Sequence, residues 1–267
     1  MTFFDRLNQR MARTAPLCVG IDPHPGVLDA WGLPHSVAGV EKLAMTLVEA
    51  LADQVAVFKP QSAFFERWGS PGIAVLERCV SELTARGALV IADVKRGDIG
   101  STMTAYAEAY LDSGPLSVDA ITLSAYLGFD ALAPAIQLAA RNGRGVFVLA
   151  RTSNPEGADL QLGHTVSGQV VAQSIVDQAV RWNQDLGQRV VGVVVGGTHA
   201  DLGVDLTRFD AAILIPGIGA QGGTVSRLAQ SFRGTNALLL PSVSREVLKA
   251  GGDPAALVAA VDSVIAA

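Results

Sequence analysis

Residues 88–95 read Ala-Leu-Val-Ile-Ala-Asp-Val-Lys, a short apolar run that ends on two ionisable side chains. Its content of Val, Ile and Leu and its weak polar alternation are typical of a parallel β-strand that is buried on both faces. Seven further runs of this kind recur along the chain, each bounded by Gly, Pro or a polar residue. The eight runs are residues 17–22, 55–61, 88–95, 120–126, 145–152, 190–198, 211–218 and 237–243.

Stretches with helical periodicity lie between the runs. In residues 40–52, for example, apolar side chains stand at positions 40, 43, 44, 47 and 51, on one face of a helix. Strand and helix alternation, repeated eight times, predicts a closed (β/α)8 barrel of the TIM type. Periodicity alone leaves an open, doubly wound sheet as the alternative. The helical stretches are residues 40–52, 73–86, 101–113, 131–142, 167–187, 225–232 and 254–267.

No linker and no break in composition divides the chain, so we expect residues 1–267 to form a single α/β domain. Residues 1–15 place Phe3, Phe4, Leu7 and Met11 at helical spacing, and we expect this amphipathic helix to cover one end of the fold. Asp5 interrupts the stretch, which therefore lacks the uninterrupted apolar run of a signal peptide.

Composition excludes several classes of protein. The 49% of hydrophobic and 17% of charged residues exclude a disordered chain, and the net charge of −5 argues against a nucleic-acid surface. No run of eighteen apolar residues is present to span a membrane, so we expect a cytoplasmic protein. Cys18 and Cys79 are expected to be reduced core residues. The four histidines show no metal-ligand spacing, and we expect neither a metal nor a cofactor.

Ionisable side chains stand at three of the eight run ends, which is where a barrel gathers its functional groups. Asp22 ends the first run, Lys59 lies near the end of the second, and Asp93 and Lys95 end the third. Asp93 and Lys95 are two residues apart and share one face of their strand. Lys59, from the neighbouring strand, can pair with Asp93, and Asp98 can hold Lys95. A salt-bridge network that only closes the barrel is the structural alternative.

An alternating array of Lys59, Asp93, Lys95 and Asp98 keeps every member charged, because each charge faces an opposite neighbour. A lysine held protonated is a proton donor. A fixed carboxylate beside it repels a substrate anion. This combination suits a reaction in which a negative group departs and a proton replaces it.

A second constellation predicts phosphate binding. Residues 215–224 read Ile-Pro-Gly-Ile-Gly-Ala-Gln-Gly-Gly-Thr, and a helical stretch follows. Glycines let a backbone approach a ligand, and Arg245, after the eighth run, can fork onto phosphate oxygens. Ordinary tight turns are the alternative interpretation. The longest connection, residues 153–165, is a candidate lid or a surface excursion.

Residues 93–102, Asp-Val-Lys-Arg-Gly-Asp-Ile-Gly-Ser-Thr, resemble the DxKxxDI signature of the orotidine 5′-phosphate decarboxylase family. Asp22 in Gly-Ile-Asp-Pro, Lys59 in Phe-Lys-Pro, and Pro-Gly with Gln-Gly-Gly at residues 216–223 also match. Residues 150–155, Ala-Arg-Thr-Ser-Asn-Pro, resemble the bacterial branch called type 2. The resemblance covers nearly the whole chain. It implies cofactor-independent decarboxylation of orotidine 5′-phosphate to UMP in de novo pyrimidine biosynthesis.

The resemblance also implies a role for each matching residue. Lys95 would protonate C6 of the pyrimidine, and Asp93 would sit beside the leaving carboxylate. Lys59 and Asp22 would bind ribose hydroxyls. The other implied contacts are Asp98 and Thr102 with the partner's site in a homodimer, Ser153 with the base, and Pro216, Gly217, Gln221, Gly222 and Arg245 with the phosphate.

Two other functions remain open from the sequence. A metal-dependent aldolase-like relative, such as 3-hexulose-6-phosphate synthase, shares the DxKxxD run. It is expected to carry a metal-binding carboxylate where this chain has Lys59, whose charge would repel a cation. A non-catalytic barrel that binds a phosphate ligand would keep Gln221 and Arg245 but would have no need for Lys95.

Overall fold

Eight parallel strands close into a barrel in the computed structural model, which describes residues 1–219 and 222–267. Neighbouring strands pair in chain order, and the last strand pairs with the first. The prediction of a closed (β/α)8 barrel is therefore confirmed, and the open sheet is excluded. The strands are β1 (Ala15–Ile21), β2 (Val55–Pro60), β3 (Leu89–Arg96), β4 (Ala120–Leu123), β5 (Gly145–Arg151), β6 (Val191–Val195), β7 (Ala212–Ile215) and β8 (Leu238–Val243).

Helices surround the barrel, and each stretch with helical periodicity contains one. Short 3₁₀ turns occupy Asp130–Leu132 and Pro155–Gly157. The helices are α1 (Phe3–Met11), α2 (Pro25–Ala30), α3 (Val37–Leu51), α4 (Ala63–Glu66), α5 (Gly69–Ala85), α6 (Gly100–Leu111), α7 (Ala133–Arg141), α8 (Ala158–Gln161), α9 (Val171–Leu186), α10 (Val225–Ser231), α11 (Arg245–Leu248) and α12 (Pro254–Ala266).

The eightfold alternation is wrong at one place. Residues 196–211, all of them described, connect β6 to β7 through turns and bends without a helix. This segment contains Gly, Asp and Thr at close intervals and lacks the apolar spacing of a helix face. It is attached to the core instead by four buried side chains, those of Leu202, Leu206, Phe209 and Ala211.

Helix α1 closes the amino-terminal end of the barrel, as its amphipathic pattern predicted. The side chains of Phe3, Phe4 and Leu7 are buried, and they pack against side chains of the strands in the interior of the barrel. The ring centroid of Phe4 lies 5.6 Å from that of Phe147 of β5, with the rings edge to face. The interior of the barrel is therefore filled by apolar side chains at this end.

The pairing of β3 with β4 contains a bulge. Ala92 pairs with Ile121 and Arg96 pairs with Leu123, so that residues 93–95 of β3 lie opposite the single residue Thr122 of β4. Bulges of this kind bend a strand and change the direction of its side chains. This one falls at the carboxyl end of β3, where the ionisable side chains stand.

Both cysteines are buried free thiols, in agreement with the sequence. Burial raises the pKa of Cys18 and of Cys79 to about 12. Among residues 1–219 and 222–267, no helix combines the length and the apolar character that crossing a membrane requires.

Candidate active site

A cavity of about 390 Å³ opens at the carboxyl ends of the strands. Each of the eight strands, or the residue directly after it, contributes to its wall. Leu149, Val194 and Leu214 form an apolar part of the lining, and the charged side chains lie toward β1, β2 and β3. This mixture of apolar walls and a few convergent polar groups is typical of a small-molecule site.

Asp93 is the centre of the charged side of the cavity. Its Oδ2 accepts hydrogen bonds from Nζ of Lys59 at 3.0 Å and Nε2 of Gln61 at 3.1 Å. Its Oδ1 accepts from Nζ of Lys95 at 2.6 Å and Oγ1 of Thr122 at 2.8 Å. These four donors come from three strands and the residue directly after β2, and they hold the carboxylate in one orientation.

Burial and neighbouring charges shift the pKa values of Asp93 and Lys59 in opposite directions. Burial alone would raise the pKa of Asp93, but Lys59 and Lys95 outweigh it and hold this pKa well below its ordinary value. Burial alone would lower the pKa of Lys59, but the carboxylates of Asp93 and Asp22 outweigh it and raise this pKa. Both side chains are therefore charged at neutral pH, which a buried position permits only to a paired group.

Asp22 directly follows β1 and lines the same cavity. Its Oδ1 is buried and has no hydrogen-bond partner within the described part of the chain. A buried acceptor without a partner is costly, and a ligand hydroxyl would satisfy it. The structure thus brings together four of the residues that the sequence singled out, Asp22, Lys59, Asp93 and Lys95.

Asp98 and Thr102 lie outside the cavity of their own chain. Oδ1 of Asp98 accepts a hydrogen bond from the backbone N–H of Ile99 at 2.8 Å, and no ion pair joins Asp98 to Lys95 among the residues described here. Thr102 is exposed in the first turn of α6. Within one chain the array therefore consists of Lys59, Asp93 and Lys95.

The loop after β7 forms the opposite wall. Pro216 and Gly217 line the cavity, and Gly217 has φ of 97°, which only glycine adopts readily. The backbone N–H of Gly223 donates to the carbonyl of Gly217 at 3.1 Å. Gly222 belongs to the same turn but lies outside the cavity lining. Gln221, which the sequence assigned to phosphate binding, falls outside the described residues.

Arg245, the first residue of α11, also lines this wall. Its side chain has no ion-pair partner within residues 1–219 and 222–267. The cavity thus has a Lys-Asp-Lys cluster on one side and a glycine turn with an arginine on the other. A ligand with a reacting group at one end and an anionic group at the other matches this polarity.

The β5 connection supplies a third wall through Thr152, Ser153 and Asn154. Gln161 of α8 folds back on it, accepting from the backbone N–H of Thr152 at 3.0 Å and donating to its hydroxyl at 2.8 Å. A Cβ at Gly196 would lie 2.7 Å from Cα of Ser153, so only glycine permits this close packing. The connection is thus held in place at the mouth of the cavity.

Gln61 and Thr122 were not anticipated from the sequence, although a signal was present for each. Thr122 is the one polar residue in β4, whose sequence is Ala-Ile-Thr-Leu. Gln61 stands two residues after Lys59 and so continues the same face of the chain. Among the described residues, no group of three or more His, Cys, Asp and Glu side chains is arranged to hold a metal ion.

A family model and the most similar relatives that we compared with this chain point to the same protein family. The model of the orotidine 5′-phosphate decarboxylase / HUMPS family matches residues 15–261. The chain is 54% identical over 269 aligned positions to the orotidine 5′-phosphate decarboxylase of Salinispora arenicola, covering 99% of this chain and 96% of that protein. It is 49% identical to the Streptomyces coelicolor enzyme of the same name, covering 97% and 94% of the two chains.

Solved structures agree with the sequence relatives. A Streptomyces avermitilis structure matches with a TM-score of 0.93 at 48% identity, covering 100% of this chain and 96% of that one. The Leishmania donovani OMP decarboxylase matches with a TM-score of 0.76 at 31% identity, and each chain is covered completely. On this evidence the chain belongs to the orotidine 5′-phosphate decarboxylase / HUMPS family.

Proposed function

We propose that this protein decarboxylates orotidine 5′-phosphate to UMP in de novo pyrimidine biosynthesis. The observation that carries the proposal is the cluster of Lys59, Asp93 and Lys95, which faces the glycine turn and Arg245 across one cavity. The substrate has a carboxylate at C6 of its base and a phosphate at the other end, which matches the two sides of the cavity.

The reaction breaks the bond between C6 and the carboxylate carbon and leaves an electron pair on C6. CO2 departs, and a proton must then replace it. Nζ of Lys95 lies 2.6 Å from Asp93, on the side of the cavity where the carboxylate would lie. In our proposal its ammonium stabilises the developing carbanion electrostatically and then donates the proton to C6.

Asp93 contributes through its charge. Because its pKa is held well below the ordinary value, it stays ionised beside the leaving carboxylate and repels it. Departure of CO2 relieves this repulsion, so that the interaction favours the transition state over the bound substrate. The buried ion pair with Lys59 keeps Asp93 ionised, and Lys59 with Asp22 would also bind the ribose hydroxyls.

Phosphate binding supplies energy far from the reacting carbon. Pro216, Gly217 and Gly222 would place the backbone against the phosphate, and Gln221 and Arg245 would hold it. Ser153 lines the third wall and would contact the base. Binding energy from these remote groups can position C6 against Lys95.

We further propose a homodimer in which Asp98 and Thr102 complete the partner's site. Support comes from the position of Asp98, which stands two residues before α6 and does not line the cavity of its own chain. Ile99, Tyr126 and Leu127 are exposed apolar side chains on the connections after β3 and β4. An apolar surface beside Asp98 is compatible with burial against a second chain. Cytoplasmic location agrees with two free thiols.

The residue near the end of β2 argues against a metal-dependent aldolase. An aldolase-like metal site would need a carboxylate there, whereas this chain places Lys59 with its Nζ 3.0 Å from Asp93. The non-catalytic barrel is disfavoured by Lys95, because a module that only binds phosphate gains nothing from a half-exposed ammonium held against Asp93 at the far side of the cavity.

The direct test is release of CO2 and formation of UMP from orotidine 5′-phosphate by the purified protein. The Lys95→Ala variant serves as the matched control, since it keeps the phosphate-binding wall and removes the proton donor. Turnover by the wild-type protein alone supports the proposal. Absence of turnover, with substrate bound, would assign the chain to the non-catalytic alternative.

A further inference from the structure

We propose that Thr122 is a positioning residue that locks the proton donor and the carboxylate of the site into one arrangement. The inference rests on the proposed decarboxylation and adds a residue to it. Thr122 is 1% exposed, and its hydroxyl makes two hydrogen bonds. Its oxygen accepts from the backbone N–H of Lys95 at 2.9 Å, and its proton is donated to Oδ1 of Asp93 at 2.8 Å.

The backbone at Lys95 explains why such a group is needed. Lys95 has φ of 45°, the left-handed conformation, and is the one non-glycine residue with positive φ in the described ranges 1–219 and 222–267. This conformation is unfavourable for a residue with a Cβ and persists only where the surroundings hold it. Strain of this kind is concentrated at functional sites.

The bulge in β3 removes the usual partner of this backbone. Residues 93–95 lie opposite Thr122 alone, so the regular pairing of β3 with β4 is interrupted at Lys95. The side chain of Thr122 replaces the missing partner by accepting the N–H of Lys95. The turned backbone directs the side chain of Lys95, which is 45% exposed, into the cavity.

The direction of each hydrogen bond follows from the chemistry of the groups. A backbone N–H and an ammonium only donate, and an ionised carboxylate only accepts. The single proton of the Thr122 hydroxyl must therefore go to Asp93, which leaves its lone pairs for Lys95. One oxygen atom thus connects the strained backbone of the proton donor to the carboxylate beside it.

This connection matters most after proton transfer. When Lys95 gives its proton to C6, its ammonium becomes a neutral amine and loses its charge attraction for Asp93. The hydrogen bonds through Thr122 do not depend on that charge. They keep the backbone of Lys95 and the plane of the Asp93 carboxylate in place through the reaction.

The test compares Thr122→Val, which keeps the shape and removes the hydroxyl, with Thr122→Ser, which keeps the hydroxyl. We expect Thr122→Val to lower kcat by about 10–100-fold, as a small misplacement of reacting groups does. The dissociation constant of UMP should change less than about threefold, because phosphate binding lies across the cavity. Thr122→Ser should recover most of kcat.

Thr235→Val is the matched control. Like the Thr122 hydroxyl, the Thr235 hydroxyl makes two hydrogen bonds: it donates to the carbonyl of Phe209 at 2.9 Å and accepts from the backbone N–H of Ala237 at 3.1 Å. It lies before β8, at the end of the barrel away from the cavity. Its loss also removes one donated and one accepted hydrogen bond, without touching Lys95 or Asp93, so kcat should be retained.

The pH profile of kcat/KM gives a second readout, through its acid limb, where activity falls as the pH is lowered. Loss of the Thr122 donor removes one hydrogen bond that favours the ionised form of Asp93, so its pKa should rise and the limb should move to higher pH in Thr122→Val. If this variant does not fold, Thr122→Ala and Thr122→Ser make the same comparison, since both lack the methyl group and only Ser keeps the hydroxyl.

Three results would overturn the inference. The first is a Thr122→Val enzyme with kcat within about threefold of wild type and an unmoved acid limb. The second is a loss that Thr235→Val reproduces, which would make the effect one of stability alone. The third is a Thr122→Ser enzyme as slow as Thr122→Ala. A wild-type protein that binds UMP but does not decarboxylate would instead show that the proposed function has failed.

Discussion

Nζ of Lys59 lies 3.0 Å from Oδ2 of Asp93, and the two side chains are only 10% and 9% exposed. This ion pair joins the ends of β2 and β3 inside the cavity wall. Two buried charges lose their hydration, and their attraction compensates for that loss only when further hydrogen bonds complete the pair. Gln61 and Thr122 supply those bonds to Asp93. The pair is thus part of a saturated network with Lys95 at its exposed edge.

Lys95→Ala should abolish turnover while the protein stays folded. The side chain is 45% exposed and contributes little to the core, but the proposed reaction takes its proton from this ammonium. We expect kcat to fall by at least about 100-fold, the lower range for loss of a general acid. Lys95→Arg should also be slow, because a guanidinium keeps the charge and does not release a proton.

Steady-state decarboxylation and thermal unfolding of the three proteins check this prediction. Near-normal turnover by Lys95→Ala would assign proton donation to another group. Unfolding of both variants would instead favour the interpretation that the charged cluster only closes the barrel.

Exhaustive chelation should leave activity unchanged. The lone pairs of Asp93 already accept from Lys59, Gln61, Lys95 and Thr122, so this carboxylate has none left for a cation. Turnover is measured after dialysis against EDTA and again after addition of Mg²⁺. Loss of activity that Mg²⁺ restores would contradict the prediction and favour the aldolase-like relative.

Replacement of Asp93 should change how stability depends on pH. Its pKa is well below the ordinary value in the folded protein and about 3.9 in an unfolded chain. A lowered pKa stabilises the fold above about pH 3.9, and this contribution is lost as pH falls toward the native pKa. Wild type should therefore lose up to about 1.4 kcal/mol per pH unit more than Asp93→Asn in this range.

Urea unfolding at pH 5, 4 and 3 measures both slopes. Asp130→Asn removes a carboxylate whose side chain is 71% exposed and controls for the change in net charge. Equal slopes for wild type and Asp93→Asn would show that Asp93 has no lowered pKa in the folded state.

Arg245→Ala should weaken substrate binding more than it slows the chemical step. Arg245 lines the wall opposite Lys95, and a hydrogen bond between charged groups is worth about 1.5–3 kcal/mol, or about 10–100-fold in KM. The same change should leave the weak turnover of orotidine, which lacks the phosphate, nearly unaltered. Comparison of kcat/KM for the two substrates checks this, and an equal loss for both would place Arg245 away from the phosphate.

Mixed dimers test whether the site is shared. Lys95→Ala chains and Asp98→Ala chains are each expected to be nearly inactive alone. In a hybrid dimer one site carries both lesions and the other carries neither, so activity should return in proportion to the hybrid formed. Subunit exchange is followed with differently tagged chains. Confirmed exchange without recovered activity would mean that Asp98 acts within its own chain.

The strand pattern predicted the barrel well because buried parallel strands have a strong apolar signature. The positions at which strands end were predicted less accurately. Runs 120–126, 190–198 and 211–218 continue beyond the ends of β4, β6 and β7, at Leu123, Val195 and Ile215. Residues after these ends are small or apolar and line connections, which periodicity does not distinguish from a strand. The connection between β6 and β7 differs, because its lack of helical periodicity already indicated that no helix follows β6.

The sequence by itself determined the closed barrel, the helix that fills its amino-terminal end, and the residues whose charges meet at the other end, since these follow from periodicity and from where strands stop. Only the tertiary structure decided how Asp93 is held. The bulge opposite Thr122, the left-handed backbone of Lys95 and the donor from Gln61 depend on contacts between strands. Local spacing along one strand carries no information about the register of its neighbour, so these features become visible only when the strands are paired.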